Sequence, residues 1–141
     1  GSGSGACGAC IVAKTINPDI KVIGVQAEKA PAVYLSWKNR RLMTTESAET
    51  FADGLAARVA FELPFKILCR LIDDIVLVSE EELRKAIIFL LFKAHQVAEA
   101  AGAASTAAAF KLKEEIAGKK VALMLTGGNI SIETLQKMLA C

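Results

Sequence analysis

The sequence predicts an α/β fold, specifically a three-layer βαβ domain with a short, mostly parallel sheet. Three short segments rich in Val, Ile and Leu have the near-continuous apolar pattern of buried parallel strands, at residues 20–26, 74–78 and 120–125. Helical stretches separate them, and this alternation is typical of βαβ units with right-handed crossovers. Because 141 residues suffice for one domain, we expect residues 1–141 to form a single α/β domain.

Composition excludes several classes of protein. Hydrophobic residues make up 53% of the chain, which rules out intrinsic disorder. The net charge is +2 and no basic block stands out, so we expect no nucleic-acid partner. The longest apolar run, residues 86–92, is too short to span a bilayer, and we expect no membrane association. The start lacks the features of a signal peptide, and four cysteines then predict reduced thiols in a cytoplasmic protein.

Capping residues and helix breakers locate the predicted helices at residues 6–16, 80–98, 103–116 and 132–139. Ser79 and Glu82 form a capping box before the second of these. Gly118 is a suitable residue to end the third, and Ser131 can cap the last. Residues 28–63 have a weaker pattern, which we interpret as one helix to about residue 40 followed by turns.

The helix after Ser79 has a broad apolar face. Its predicted buried stripe consists of Leu83, Ile87, Leu90, Leu91, Ala94 and Val97. Ile88, Phe89 and Phe92 widen the stripe until little polar surface remains. Such a helix is either deeply buried or covered by another chain. We therefore expect a homo-oligomer, with a symmetric dimer as the simplest form.

The glycine-rich start has several interpretations. Gly3, Gly5 and Gly8 have the spacing of a dinucleotide fingerprint, and glycines let a phosphate approach the amides at a helix N-terminus. Glu28 follows at the distance of a ribose-binding acid. However, no strand precedes the glycines, and a Gly-Ser repeat is also typical of an artificial linker. A dinucleotide loop, another phosphate loop and a linker all remain open.

A second glycine pair follows the third predicted strand, at Gly127 and Gly128 after Thr126. Ligands of open α/β sheets lie beyond the carboxyl ends of the strands. The Thr126 hydroxyl can donate or accept a hydrogen bond, and two glycines admit a flat ring. A plain strand-to-helix turn uses the same residue types.

The cysteines and the histidine favour structural roles. Cys7 and Cys10 have redox spacing, and a helix N-terminus would lower the pKa of the Cys7 thiol. We nevertheless favour two small residues packed at the start of a helix. Cys69 is predicted to be a core residue and Cys141 an added end residue. His95 lies in an apolar helix without a second ligand nearby, which predicts a packed or rim position.

Five stretches together resemble the threonine dehydratase and serine racemase family, pyridoxal-phosphate enzymes of the tryptophan synthase β fold. They are AK at 13–14 with NPDIKVIGVQ at 17–26, ADG at 52–54, DDIVLVSEEE at 73–82, EAAGA at 99–103 and GGNI at 127–130. The resemblance covers essentially the whole chain as the C-terminal part of a catalytic domain. It implies a partial tryptophan synthase β-like fold. For the parent family it implies dehydration and deamination of threonine or serine to a 2-keto acid and ammonia.

The resemblance also implies cofactor-binding residues. The family's phosphate-binding glycines align with Gly1, Ser2, Gly3 and Ser4, and Gly5 continues that loop. By the same resemblance, Thr126 faces the pyridine nitrogen, Glu99 lies near the ring, and Gly54 lies near the substrate. The serines depart from the family's pattern of four glycines. Gln26, Ala30 and Ala32 occupy the region where some relatives bind a divalent cation, and we expect no metal here.

The family's Schiff-base lysine and substrate-carboxylate loop belong to an N-terminal part that has no counterpart here. Lys38 has a similar context, but Arg41 replaces the glycine of the motif, and we interpret Lys38 as a solvated lysine. We therefore expect a dehydratase fragment without catalytic residues, inactive alone and binding no pyridoxal phosphate by itself. Its partner would be a second copy or a missing N-terminal segment. A non-catalytic self-associating module and a Rossmann-like nucleotide-binding domain are the alternatives.

Overall fold

The structure is a computed structural model that describes residues 1–140, so Cys141 lies outside the described residues. Its elements are α1 Ser4–Ile16, β1 Ile23–Ala27, α2 Ala32–Asn39, a 3₁₀ turn Asp53–Leu55, α3 Glu62–Leu71, β2 Asp74–Val78, α4 Glu80–Ala94, α5 Ala100–Lys111, α6 Lys113–Ile116 and α7 Ile132–Leu139. Within this range, every helix is too short or too polar to traverse a lipid bilayer.

The two strands form a parallel pair with helices on both faces. Gly24 lies opposite Ile75, and Ala27 lies opposite Val78. Because successive strand residues point to opposite faces, Ile75 and Val78 enter two different cores. The predicted three-layer arrangement with a parallel sheet is thereby confirmed.

Each core has its own composition. The core around Ile75 is built from α1, α2 and α3, with Cys7, Cys10, Val33 and Leu68 buried. The core around Val78 is larger and contains Leu83, Ala86, Ile87 and Leu90 of α4 together with the small residues of α5. Five buried alanines of α5 leave little side chain between its backbone and its neighbours. This helix consequently contacts β1, β2, α4 and the 3₁₀ turn.

The third predicted strand is wrong. Residues 120–125 have no regular secondary structure and do not pair with β1 or β2. Val121 is 47% exposed and Met124 64% exposed. A strand needs the backbone groups of a neighbouring strand, and the described residues provide none at this position.

Several helix boundaries also differ from the predictions. α1 begins at Ser4 rather than residue 6, and α4 ends at Ala94 because His95 adopts a left-handed conformation with φ 53°. The predicted helix 103–116 begins earlier, at Ala100, and is interrupted at Leu112, which divides it into α5 and α6. The sequence pattern missed α3 entirely.

The predicted caps are confirmed. The Ser79 hydroxyl accepts from the Glu82 amide, and the Glu82 carboxylate accepts from the Ser79 amide. The Ser131 hydroxyl accepts from the Thr134 amide at the start of α7. Gly118 follows α6 with φ 72°.

Candidate functional site

The glycine-rich start forms a loop that leads into α1. Gly3 has φ 91°, a left-handed conformation that favours glycine, and α1 begins at the next residue. The first helical bond runs from the Cys7 amide to the Gly3 carbonyl, 2.9 Å away. The preceding amides, of Ser4, Gly5 and Ala6, are left over at the helix N-terminus, where no side chain caps them. Free amides and the helix dipole together favour an anion at this position.

A continuous set of close contacts joins the glycine loop to α5. The α-carbon of Gly1 lies so close to the Gly54 carbonyl that a β-carbon on Gly1 would overlap it. A β-carbon on Gly54 would in turn lie 2.8 Å from the β-carbon of Ala101. The glycine loop, the 3₁₀ turn and the start of α5 therefore touch through backbone that only glycine permits.

The same end of α5 contacts the second glycine pair. The Glu99 amide donates to the Gly127 carbonyl at 3.1 Å. A β-carbon on Gly127 would overlap the Glu99 carboxylate, and one on Gly102 would overlap the Gly127 carbonyl. The fold thus brings Glu99 against the turn that contains Thr126.

A cavity of about 370 Å³ opens beside these contacts. It is lined by Phe51, Asp53, Gly54, Glu99, Ala100, Ala101, Asn129, Ile130, Ser131, Thr134 and Met138. Only Gly54 and Glu99 among these are predicted cofactor-binding residues. The sequence analysis missed the polar lining residues Asn129 and Thr134, although the glycine pair and the Ser131 cap that flank them are visible in the sequence.

The predicted cofactor-binding residues occupy different kinds of position. Gly1, Gly54 and Glu99 belong to the contacts described above. Ser2 and Gly3 are half-buried in the loop, whereas Ser4 and Gly5 are exposed in the first turn of α1. Thr126 is exposed directly beside Gly127. Their role in binding a cofactor stays a prediction.

The region predicted to lack a metal is already used for packing. The Gln26 side chain accepts a hydrogen bond from the Tyr34 amide at 2.8 Å and is 3% exposed. Ala30 and Ala32 are fully buried. These contacts fasten the end of β1 to the start of α2, and the absence of a metal stays a prediction.

Cys7 and Cys10 are buried core residues. Burial raises the pKa of both thiols, and the neighbouring Cys7 raises that of Cys10 further. The Cys7 thiol also contacts the Pro64 carbonyl at 3.6 Å. The raised pKa and the burial of Cys7 agree with the favoured interpretation of two small residues packed at the start of a helix.

Other candidates lie in ordinary structural contacts. Lys38 is exposed on α2, and its hydrogen bond with the Tyr34 hydroxyl raises its pKa, which makes the amine a poorer nucleophile. The Glu28 carboxylate lies 3.6 Å from the Lys111 ammonium at the carboxyl ends of the strands. His95 is exposed at the end of α4.

Comparison with known proteins shows the family of this chain. Residues 1–127 match the family described as pyridoxal-phosphate dependent enzyme. The chain belongs to this family. The glycine-rich start lies within the matched residues.

Curated relatives in this family are threonine-processing enzymes. The chain is 39% identical over 139 residues to L-threonine ammonia-lyase of Thermotoga maritima, covering 99% of the chain and 34% of the relative. It is 36% identical over 140 residues to catabolic L-threonine dehydratase of Escherichia coli K12, covering 98% and 43%. The chain therefore spans between a third and under half of the length of these relatives.

Solved structures of the family share the fold. A threonine deaminase from T.th. superposes with a TM-score of 0.89 at 32% identity, covering 94% of this chain and 47% of that one. Serine racemase from Dictyostelium discoideum gives 0.84 at 30% identity, with 94% and 42% covered. The processed form of threonine deaminase isoform 2 from Solanum lycopersicum gives 0.92 at 28% identity, with 99% and 41% covered. The predicted tryptophan synthase β-like fold is confirmed.

The residues present fit one side of the family's cofactor. The amides at the start of α1, where no side chain caps the helix, suit a phosphate. None of the described residues that line the cavity is a lysine, so the cavity wall offers no amine for a covalent bond.

Proposed function

We propose that this chain supplies the phosphate-binding and ring-binding side of an enzyme that converts threonine or serine to a 2-keto acid and ammonia. The contact of Gly54 with both Gly1 and Ala101 carries the proposal. It joins three stretches that are far apart in sequence and that each match the family's cofactor region.

Each residue type has a definite task in this proposal. The amides of residues 1–5 bind the phosphate, and the Thr126 hydroxyl pairs with the ring nitrogen. When bound, pyridoxal phosphate withdraws electrons from the α-carbon of an amino acid. A neutral hydroxyl leaves the ring nitrogen weakly protonated, which suits β-elimination of the substrate hydroxyl. Glu99 lies at the edge of the ring site.

The covalent lysine and the grip on the substrate carboxylate must come from a partner segment. The described chain has an accessible surface of 8526 Å². A compact protein of 15.0 kDa exposes about 7,000 Å² by the usual scaling of surface with mass. The excess of about 1,500 Å² exceeds the roughly 800 Å² that each partner buries in a standard interface. Phe92 and Met124 are among the exposed large apolar side chains.

The compartment is also part of the proposal. Cys7, Cys10 and Cys69 are free thiols, and Cys7 and Cys10 are buried without a bridge. Free thiols are the usual state of cysteine in a reducing compartment. We place the protein in the cytoplasm, where residues 1–141 act as one α/β domain of a larger assembly.

Complementation tests the proposed function. The chain is co-expressed with the part of the Thermotoga maritima L-threonine ammonia-lyase that it does not cover, and ammonia release from threonine is measured with pyridoxal phosphate present. We expect turnover only when both polypeptides are present. Gly54→Val should abolish it, because a side chain there collides with Ala101. Gly8→Ala should not, because a β-carbon at Gly8 meets nothing within 4 Å.

Two results would contradict the proposal. One is turnover by the chain alone, with a visible absorbance band that is lost in Lys38→Met, since Lys38 would then be the covalent lysine. The other is a complex of the two polypeptides that shows no turnover and that forms equally well with the Gly54→Val variant. Light scattering of the chain alone tests the expected self-association separately: a dimer supports it, and a 15.0 kDa monomer contradicts it.

A further inference from the structure

The Gly54 turn belongs to a loop closed at its base. Thr44 and Val59 form an isolated antiparallel bridge. Next to it, the Thr45 amide donates to the Arg58 carbonyl at 2.9 Å. Residues 46–57 therefore form a loop whose two ends are held together by these contacts, and Gly54, which contacts Gly1, lies inside this loop.

One carboxylate fastens the loop to α4. Glu80 accepts from the Thr50 hydroxyl at 2.7 Å and from the Phe51 amide at 3.0 Å. The Thr50 hydroxyl oxygen also accepts from the Ala52 amide at 3.1 Å. Two hydrogen bonds thus connect the first turn of α4 with the loop, and the third carries the connection through Thr50 to the Ala52 backbone, two residues before Gly54. Because Glu80 lies at the positive end of the helix dipole, its negative charge is favoured there.

The neighbouring acids of the same turn make other contacts. Glu81 forms ion pairs with Arg84 and Lys85 on its own helix. Glu82 closes the capping box with Ser79. Of these three acids, only Glu80 forms hydrogen bonds with the loop that contains Gly54. The three acids look equivalent in the sequence, but their contacts differ.

The anchored backbone leads directly into the site wall. Phe51 lines the cavity, Ala52 is 1% exposed and Leu55 is 7% exposed. The Leu55 amide donates to the Ala52 carbonyl at 2.7 Å, which closes the turn around Gly54. A shift of the Ala52 backbone consequently moves the Gly54 carbonyl away from Gly1.

We infer that Glu80 is a positioning residue, which acts through the Thr50 hydroxyl to hold the Gly54 turn against the cofactor loop. It does not touch the cavity itself. The inference rests on the proposed function for its consequence in turnover, but the anchoring is a property of the chain alone.

Amide hydrogen exchange on the 141-residue chain, resolved by NMR, tests the anchor without any cofactor. In Glu80→Gln and in Thr50→Val, exchange at Ala52 and Leu55 should rise about tenfold, as expected for one lost hydrogen bond to a charged group. The amide resonances of Gly54 and Ala101 should shift. Glu81→Gln removes the same charge one residue away and should change these rates less than about twofold, because its ion pairs are exposed. Thr50→Ser keeps the hydroxyl and should restore the protection.

The outcomes separate the anchor from a general effect on stability. Faster exchange confined to the loop, with rescue by Thr50→Ser, supports the inference. Unchanged rates in Thr50→Val, or an equal rise at Val25 and Ile75 in the sheet, would overturn it. In the complemented enzyme, Glu80→Gln should lower kcat/KM at least about fivefold relative to Glu81→Gln. Absence of turnover with the unmodified chain would contradict the proposed function. The hydrogen-exchange rates would still decide whether Glu80 holds the loop.

Discussion

Two segments of similar composition have different fates in this molecule. Asp74–Val78 and residues 120–125 are both short and rich in branched or long apolar residues. The first forms β2, pairs with β1 along five residues and buries Val78 completely. The second has no regular secondary structure and is exposed. Its end is held to α5 by two hydrogen bonds, from the Ser105 hydroxyl to the Met124 carbonyl and from the Glu99 amide to the Gly127 carbonyl.

The two segments differ in the elements that surround them, because their residue types give both the same local preference for a strand. β2 has a parallel partner on one side and helices on both faces, so its apolar side chains leave water. Residues 120–125 have no such partner among the described residues. A strand is a property of a pair of backbones, and the exposed segment is a strand only when another backbone lies beside it.

The largest expected contrast comes from introducing a charge into each segment. Val78→Asp places an unpaired carboxylate at a fully buried position, and we expect a loss of more than about 4 kcal/mol in the free energy of unfolding. Val121→Asp places the same group at a position that is 47% exposed, where the loss should be below about 0.5 kcal/mol. Urea denaturation followed by circular dichroism measures both.

In the complementation experiment we expect Val121→Asp to have a large effect as well, this time on assembly. If a partner segment covers residues 120–125, Val121→Asp should prevent assembly while leaving the isolated chain folded. Equal stability losses in the two variants would refute the distinction between the segments. Val121→Thr, which keeps the shape and adds only a hydroxyl, serves as the control for assembly.

The sequence was informative where local chemistry decides the structure. The capping box at Ser79, the Ser131 cap and the βαβ alternation depend on nearby residues, and the structure confirms each of them. The exposed segment was misassigned because its missing neighbour leaves no mark on its own composition. α3 was missed although Ile67, Leu68 and Leu71 recur at helical spacing, and its Pro64 lies in the first turn, where proline is tolerated.

The candidate site divides in the same way. Glycine spacing pointed to Gly3, Gly5 and Gly8, and the family resemblance added Gly1 and Gly54, which the structure places in contact. The anchoring role of Glu80 was invisible, because its partners Thr50 and Phe51 lie far away in the sequence and carry no pattern. Contacts between distant residues are a product of the fold and cannot be read from spacing.

A smaller effect tests how the exposed segment is held at its end. Gly102 is a helix residue of α5, where alanine normally adds about 0.5–1 kcal/mol of stability. A β-carbon there would overlap the Gly127 backbone. We therefore expect Gly102→Ala to lower the free energy of unfolding by about 1–3 kcal/mol through overpacking, and to speed amide exchange in residues 120–128.

Gly8→Ala is the matched substitution for this test. Gly8 is also inside a helix, but its β-carbon would meet open space, so this variant should gain about 0.5–1 kcal/mol. The two substitutions thus have opposite expected signs. Stabilisation by Gly102→Ala would mean that the segment does not rest on α5.

The smallest expected change in the free energy of unfolding concerns the start of β2, where a carboxylate connects β2 to α1 and to the residue before β1. Asp73 accepts from the Lys14 ammonium at 2.7 Å and from the Val22 amide at 2.7 Å, so it fastens α1 and the residue before β1 to β2. Burial raises the pKa of Asp73, but the bonds from Lys14 and Val22 outweigh it and lower the pKa overall. Asp73→Asn should cost about 1 kcal/mol at neutral pH, since the pair is partly exposed to water.

The pH dependence gives this last prediction its sign. A carboxyl group whose pKa is lowered by folding adds stability above its unfolded pKa of about 3.9, and that contribution is lost as the pH falls through the lower folded value. The unmodified chain should therefore lose stability more steeply below about pH 4 than Asp73→Asn does. Asp74→Asn is the control, because Asp74 is exposed and its carboxylate bonds to the adjacent Ile75 amide. If Asp73→Asn and the unmodified chain have parallel stability curves between neutral pH and about pH 3, the Asp73 carboxylate does not hold the start of β2.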